Sequence, residues 1–545
     1  MIPILPFGTP PIYLVPFGMM FSAASSTNLS RVLVAGDRNL WSLFFQGIKR
    51  GDLGRLQYLY GADTASPDAV YFDAADRLCV DIAGTTRLVT NAVFKDCEGH
   101  YPVVVIDFDA ANATAANRLV LKVGGQTITS FATDARSGIA TNTAKTGTAV
   151  TAFYGRNPAS AVNFFDGVLS NVGHVNGALA GTLGRLDAAS AQFVPIPPNG
   201  MNANAAGWFL EFKNGTAATA AAFGADTSGN ASNWTPSGVS LAAGAACAQV
   251  ADTVTGNFAT WHASDRTSNG TIQNANTRFG VGTGVGYVSI RSTLALPPSG
   301  KCYFEIPTAA NGGSPIVRLG LATAAQSLAL DALSGLSSLP ETRTIMSNGD
   351  RHDGAGTAAY GGALSVPGTL MAAIDMDAGT AKFGYDGNWA NGAGAWNQSF
   401  AAGATAFTDL LSSGKTWFVY FYIIQSWADL VAGRGGFAYA VPSGYKPFST
   451  LAMPSTVGVA SGTFTGNASA SGPRLFLNGT PSALTINGNA VAFGTHAEKT
   501  ATGCRIVTSS ASYNASGSNS FAATFATRLV GAAPRRVPNP AQVNP

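Results

Sequence analysis

KTWFVYFYIIQSW, residues 415–427, is apolar on both of its sides. Along an extended chain Trp417, Val419, Phe421 and Ile423 face one way, and Phe418, Tyr420, Tyr422 and Ile424 face the other. A half-buried strand alternates apolar with polar residues. A run that is apolar on both faces belongs in the middle of a sheet, covered by a layer on each side. Shorter alternating runs surround it. Arg77–Ile82 places Leu78, Val80 and Ile82 together, with Cys79 as a small packing residue. Pro102–Phe108 alternates too, and Asn117–Val123 sets Leu119, Leu121 and Val123 on one face. Turn pairs separate these runs: Gly124-Gly125, Asp166-Gly167, Asn214-Gly215, Ser299-Gly300, Asp386-Gly387, Asn478-Gly479 and Asn487-Gly488. Short strands broken by such turns predict β-sandwiches. Helical periodicity is scarce, and Ala322–Leu333 is the one stretch read as a short helix or a loop of helical character. The fold class expected is all-β.

A chain of 545 residues exceeds a single core and calls for several domains. Only 11% of residues are charged, yet 46% are hydrophobic and 10% aromatic, which is the opposite of a disordered composition. A net charge of +3 leaves no nucleic-acid footprint. Met1–Ser26 is apolar, but its five prolines before residue 17 break a helix, so neither a signal helix nor a membrane span is expected. It reads as an extended arm that seeks another protein surface, with a strand packed on its own domain as the alternative. The tail Pro534–Pro545 holds four prolines and is expected to be extended.

The chemistry-bearing residues are sparse. Cysteines stand at 79, 97, 247, 302 and 504, with no CxxC pair and no disulfide-framework spacing. His100, His174, His262, His352 and His496 form no metal-ligand pattern. GVGTGVG (280–286) lacks the lysine of a phosphate loop. Asp107 and Asp109 share a strand face, but two carboxylates are few for calcium, which takes about 6–8 oxygens. No catalytic residue, metal or cofactor is therefore expected. Sugar binding needs an exposed ring face beside amides and acids. Trp389 and Trp396, in a Gly/Asn-rich loop with Asn388, Asn391 and Asn397, supply that set. Trp427 continues an apolar strand and reads equally well as core. Arg351, His352 and Asp353 in GDRHDGAG suit an anionic sugar; the plainer reading of the trio is a solvated loop.

Three stretches carry a resemblance: FYGRNPASAVNFFDGVLSNVGHVNG (153–177), DTSGNASNWTPSG with its continuation (226–252), and FAYAVPSGYKPFST (437–450). In this order and spacing the chain resembles modular virion proteins of tailed bacteriophages. In those a laminin-G-like (concanavalin-like) sandwich is followed by a connecting segment and a SPRY-like sandwich. FKDCEGHYPVVVIDFDAANATAANRLVLKVGG (94–125) is similar to the middle of the first domain type. GKCYFEI (300–306), VRLGLA (317–322) and KFGYDGNW (382–389) are similar to strands of the second. The chain departs from the pattern at Ser170 and Gly173, where an aromatic and an acid are usual, and at Val431–Arg434, where Asn-Phe-Gly-Gln is usual.

The resemblance implies an arm over 1–27, a concanavalin-like sandwich over 28–190, a connecting segment over 191–285, a SPRY-like sandwich over 286–451 and a small β-module over 452–545. Leu475, Leu477, Leu484, Ile486, Val491, Phe493, Ile506 and Val507 are the expected core of the last. The implied function is a virion structural protein made in the host cytoplasm, a tail fibre or similar appendage contacting host-surface carbohydrate. Implied partners are other virion proteins, through the arm, and copies of itself, as a trimer. Nucleic acid and membrane insertion are not expected. A head fibre, decoration or adaptor protein is the alternative. A capsule-depolymerising spike is a weaker one, because no fixed-period repeat is present.

Overall fold

The computed structural model describes residues 15, 17–95, 97, 99–179, 181, 183–187, 192–196, 206–212, 220–240, 249–253, 256–281, 286–297, 299–311, 316–328, 339–450, 459–468, 474–476, 483–492, 495–500 and 503–524. Nearly every regular element among them is a strand, and the sheets are antiparallel apart from one short pairing. They form two sandwiches and a smaller third module.

The first sandwich rests on an eight-stranded sheet. Its order is Phe131–Asp134, Thr85–Val93, Arg77–Ile82, Asp68–Phe72, Gln57–Ala62, Thr151–Tyr154, Asn28–Val32 and Thr235–Ser237. A six-stranded sheet centred on Val104–Asp109 and Leu40–Phe45 faces it. The predicted faces meet in one core: Leu78, Val80 and Ile82 from one sheet, Leu119, Leu121 and Val123 from the other. Val123 and Gln126 pair directly across Gly124 (φ 56°) and Gly125 (φ 76°). Two successive left-handed residues make the primed turn whose twist matches the flanking strands. Asp386-Gly387 (φ 44° and 87°) and Asn487-Gly488 (φ 50° and 78°) do the same elsewhere.

Two boundaries differ from the sequence expectation. The connecting segment is shared between the sandwiches. Trp208–Leu210 is an edge strand of the six-stranded sheet, and Thr235–Ser237 closes the eight-stranded one. Trp208 and Trp234 lie in the first core, whereas Phe258, Trp261 and Phe279 lie in the second. Of the arm, residues 1–14 and 16 fall outside the described residues. Gly18–Phe21 is a strand between Gly167–Leu169 and Gln249–Val250, with Met19 and Phe21 fully buried. Its alternation feeds side chains into the first core.

His174 lies deep in this sandwich, stacked on Trp208 at 4.3 Å and tilted against Trp41 at 6.1 Å. Burial pulls its pKa down to about 3. Below pH ~6.5 the unfolded chain takes up a proton that the folded ring refuses, so stability falls with acidification by up to about 1.4 kcal/mol per pH unit in this window. His174→Phe is expected to remove that slope. Urea midpoints of the two proteins should diverge between pH 7 and pH 5, with the wild type falling faster; equal shifts would count against the assignment.

In the second sandwich a seven-stranded sheet has Trp417–Ile424 between Val288–Ala295 and Ile316–Thr323. The run apolar on both sides is buried on both sides. Trp417, Val419, Phe421 and Ile423 enter the core, while Tyr420 and Tyr422 pack outward under Tyr287 and Leu328. Ala322 and Thr323 end the strand Ile316–Thr323, residues 324–328 form a turn, and residues 329–333 of the expected helix or loop lie outside the described residues. The opposing nine-stranded sheet centres on Lys301–Ala310, Gly368–Asp375 and Thr380–Tyr385.

The third module pairs Val459–Gly466 with Gly517–Thr524, and its described core is Leu484, Ile486, Ala497, Cys504 and Ile506. Val491 packs against that core, and Leu477 and Phe493 lie outside the described residues. Buried amides add to this small core. The Asn519 side chain accepts from Ala515 N–H at 3.0 Å and from the Asn487 amide at 2.9 Å, and Asn514 accepts from Asn467 N–H at 3.0 Å.

Candidate functional site

The proposed sugar-binding residues sit on one end of the second sandwich but do not converge. Asn388–Ala390 and Trp396–Gln398 are the last strands of the nine-stranded sheet. Strand alternation turns Trp389 onto the sheet's outer face, where it is 5% exposed and meets Phe400 at 4.9 Å. The expectation of an exposed Trp389 is therefore corrected: residues 437–445 cover that face. Trp396 is half-buried. Its indole N–H donates to Gly362 O at 2.6 Å, and its ring lies so close over Gly361 that a Cβ there would clash. Tyr360 and Tyr385 flank it, each at 5.9 Å.

The amides mostly build turns. Asn391 accepts from Ala393 and Ala395 N–H at 2.8 and 3.0 Å, while Asn397 accepts from Gln398 at 2.9 Å. Asn388 is exposed, with its amide 3.4 Å from Asp386 O. The charged trio diverges. Arg351 donates to Ala406 O, and Asp353 accepts from Ala355 and Gly356 N–H at 3.0 and 2.9 Å. His352 is fully buried, beside the Thr342 hydroxyl at 3.4 Å. Its burial corrects the solvated-loop reading at that position. Trp427 is half-buried on Ser426–Asp429.

Around Trp389 the outer face carries Tyr303 and Met371, with Phe400, Phe437, Tyr439 and Tyr445 half-buried above them. Lys382 lies over Phe400 at 5.1 Å and Lys301 over Tyr445 at 5.8 Å. Buried Glu305 latches the covering segment, accepting from Ala438 and Tyr439 N–H, both at 2.9 Å, and from the Tyr303 hydroxyl at 2.8 Å. These rings pack on one another and under lysines, so the arrangement is a closed aromatic layer rather than an open stacking platform.

The strongest electrostatics lie between the sandwiches, at residues the sequence reading did not single out. Lys49 of the first sandwich donates to Asp252 at 3.0 Å, to the Asn257 side chain at 2.8 Å and to Phe258 O at 2.8 Å. His100 meets the other Asp252 oxygen at 3.1 Å. Arg434 of the second sandwich approaches Asp252 at 3.6 Å. All four residues are buried. Burial by itself raises the Asp252 carboxyl, but Lys49, His100 and Arg434 together hold it well below the ordinary carboxylate range. Beside this cluster, Asn274, Ala275 and Asn276 run with φ of 56°, 51° and 61°. The left-handed turn presses on the first sandwich: Ala275 N–H donates to Asp166, Asp52 N–H donates to Asn276 at 3.1 Å, and Ser22 donates to Asn274 at 3.0 Å. Signals were present in the apolar context of Lys49 in FFQGIKR (44–50) and of Arg434 after Leu430–Ala432.

Among the described residues no group of three His, Cys, Asp or Glu is placed to hold a metal. Asp107 pairs with Lys122 at 2.7 Å and accepts from Ser42 at 2.6 Å, and Asp109 caps its own turn through Ala111 N–H at 3.2 Å. Among the described residues no helix is long and apolar enough to cross a membrane.

No protein family and no curated protein matches the chain. Among solved structures it is similar to the SPRY domain of human HERC1, at 13% identity and TM-score 0.24, over 31% of this chain and 96% of that one. It is also similar to stonustoxin, at 13% identity and TM-score 0.23, over 32% of this chain and 27% of that one. The TRIM65 PSpry domain is a third, at 11% identity and TM-score 0.22, over 32% of this chain and 89% of that one. The all-β fold described above rests on the strand pairing.

Proposed function

We propose that this chain is a structural and binding protein of a bacteriophage virion, a tail fibre or similar appendage that contacts carbohydrate on the host surface. Its role on this reading is attachment, not catalysis. The observation that carries it is the buried Lys49–Asp252–His100–Arg434 cluster, which fuses two sandwiches into one body. An appendage must hold its binding surfaces at a fixed angle to the particle, and a desolvated charge network with a left-handed clasp beside it resists hinging. Enzymes built from two domains commonly need the opposite, a movable interface over a cleft. The order of the three phage-like sequence stretches supports the same reading, as does a charge-poor composition. On this proposal the residues before Val15 anchor the protein to the particle, and the assembly is a homotrimer.

The test is binding of the labelled full-length chain to intact bacterial cells, before and after stripping surface glycans. Saturable binding that disappears on stripping is the expected result. A folded trimer that ignores every strain would leave the head-fibre, decoration or adaptor reading in its place.

A further inference from the structure

The outer face of the first sandwich's eight-stranded sheet holds a group that the packing of the core does not require. Tyr58 on Gln57–Ala62 and Tyr71 on Asp68–Phe72 are paired in register. Their rings stack with centroids 4.9 Å apart and planes at 24°, and both are half-exposed. The Tyr71 hydroxyl donates to Asp81 on the next strand at 3.1 Å. Thr86 lies directly across from Asp81 on the strand after that. Four adjacent strands thus contribute one aromatic, one aromatic phenol, one carboxylate and one hydroxyl in a row.

We propose that this row is a carbohydrate site for a neutral sugar, and this rests on the host-contact reading above. The exposed halves of the two rings offer apolar surface to the C–H face of a pyranose. Asp81 and Thr86, at the end of the row, offer acceptors and a donor to its hydroxyls. The Asp81 carboxyl, whose pKa burial raises, accepts from the Tyr71 hydroxyl and keeps further lone pairs for a ligand. Its charge opposes phosphorylated or acidic ligands. Arg77, the cation on the same strand, is already committed to Asp73 at 2.7 Å. Pro158 fills the space over Gly61, Arg156 lies over Phe153 at 4.1 Å, and Cys79 and Val89 are buried.

The test uses the full-length chain on a printed array of neutral and acidic bacterial oligosaccharides. Alongside it run Tyr58→Ala/Tyr71→Ala and, as a variant that leaves both rings in place, Asp81→Asn. Circular dichroism and thermal melting confirm that each is folded. The expected result is binding of at least one neutral glycan. Affinity should fall at least about tenfold in the double variant and severalfold in Asp81→Asn, as for central contact residues. No neutral glycan bound, acidic glycans only, or equal binding by both folded variants overturns the proposal. Intact-cell binding separates the two readings. Wild-type and double-variant chains that bind cells equally sink this site and spare host attachment. A chain that binds neutral glycans through these tyrosines but no cell sinks host attachment and spares the site.

Discussion

Asp252→Ala is expected to cost roughly 3–5 kcal/mol, the penalty for removing one member of a buried charge pair. The size follows from what remains. Lys49 loses its only anionic partner in the cluster while Asn257 and Phe258 O still hold it in place. His100 loses its hydrogen-bond partner and Arg434 its anionic neighbour in the same step. Neither Lys49 nor Arg434 reaches water without parting the sandwiches. Asp252→Asn keeps the shape and one acceptor oxygen, so a smaller loss is expected. Lys49→Met combined with Asp252→Leu should recover much of the stability, because an apolar replacement leaves fewer unpaired charges. Denaturant unfolding followed by tryptophan fluorescence measures all three. A midpoint within error of wild type for Asp252→Ala would show that the junction is wet or open in solution.

The second large effect concerns the first sandwich's boundaries. Trp208→Ala is expected to cost roughly 3–5 kcal/mol, as large-to-small changes of buried aromatics do. Trp208 stacks on His174, meets Trp234 at 5.3 Å edge-on and donates its indole N–H to the Tyr154 hydroxyl at 3.0 Å. A fragment of residues 28–190 lacks Trp208, Leu210 and Trp234, and also Met19 and Phe21, all of them in the core. That fragment should show no cooperative unfolding. If it melted cooperatively at the full chain's temperature, the segment around Trp208 would be a removable cover rather than part of the core.

What was legible in the sequence depended on locality. Trp417–Ile424 and the Asp386-Gly387 turn are set by side-chain alternation and backbone sterics over a few residues, and both are found as expected. Trp389 was misjudged because what covers a strand face is not local: its cover comes from residues 437–445. Lys49 and Asp252 lie 203 positions apart, so neither implies the other. Asp81 is readable as an outward residue from the alternation of Leu78, Val80 and Ile82. Tyr58 is harder, because a bulge between Tyr58 and Tyr60 shifts the register that alternation relies on. The segment 191–285 is a connecting segment only by the resemblance of its motifs; buried tryptophans at 208, 234 and 261 make it core on both sides.

The strand Gly18–Phe21 pairs with residues 167–169 on one side and 249–250 on the other. Both of its neighbours lie far downstream along the chain. A ribosome must deliver the whole span from Met19 to Gln249 before the strand has both partners, and ring closure over such a span is slow. Until then an apolar stretch stays uncovered on the nascent chain, where it can meet its counterpart on another copy during synthesis. Production yield should therefore be governed by elongation speed and temperature more than by the equilibrium stability of the finished protein.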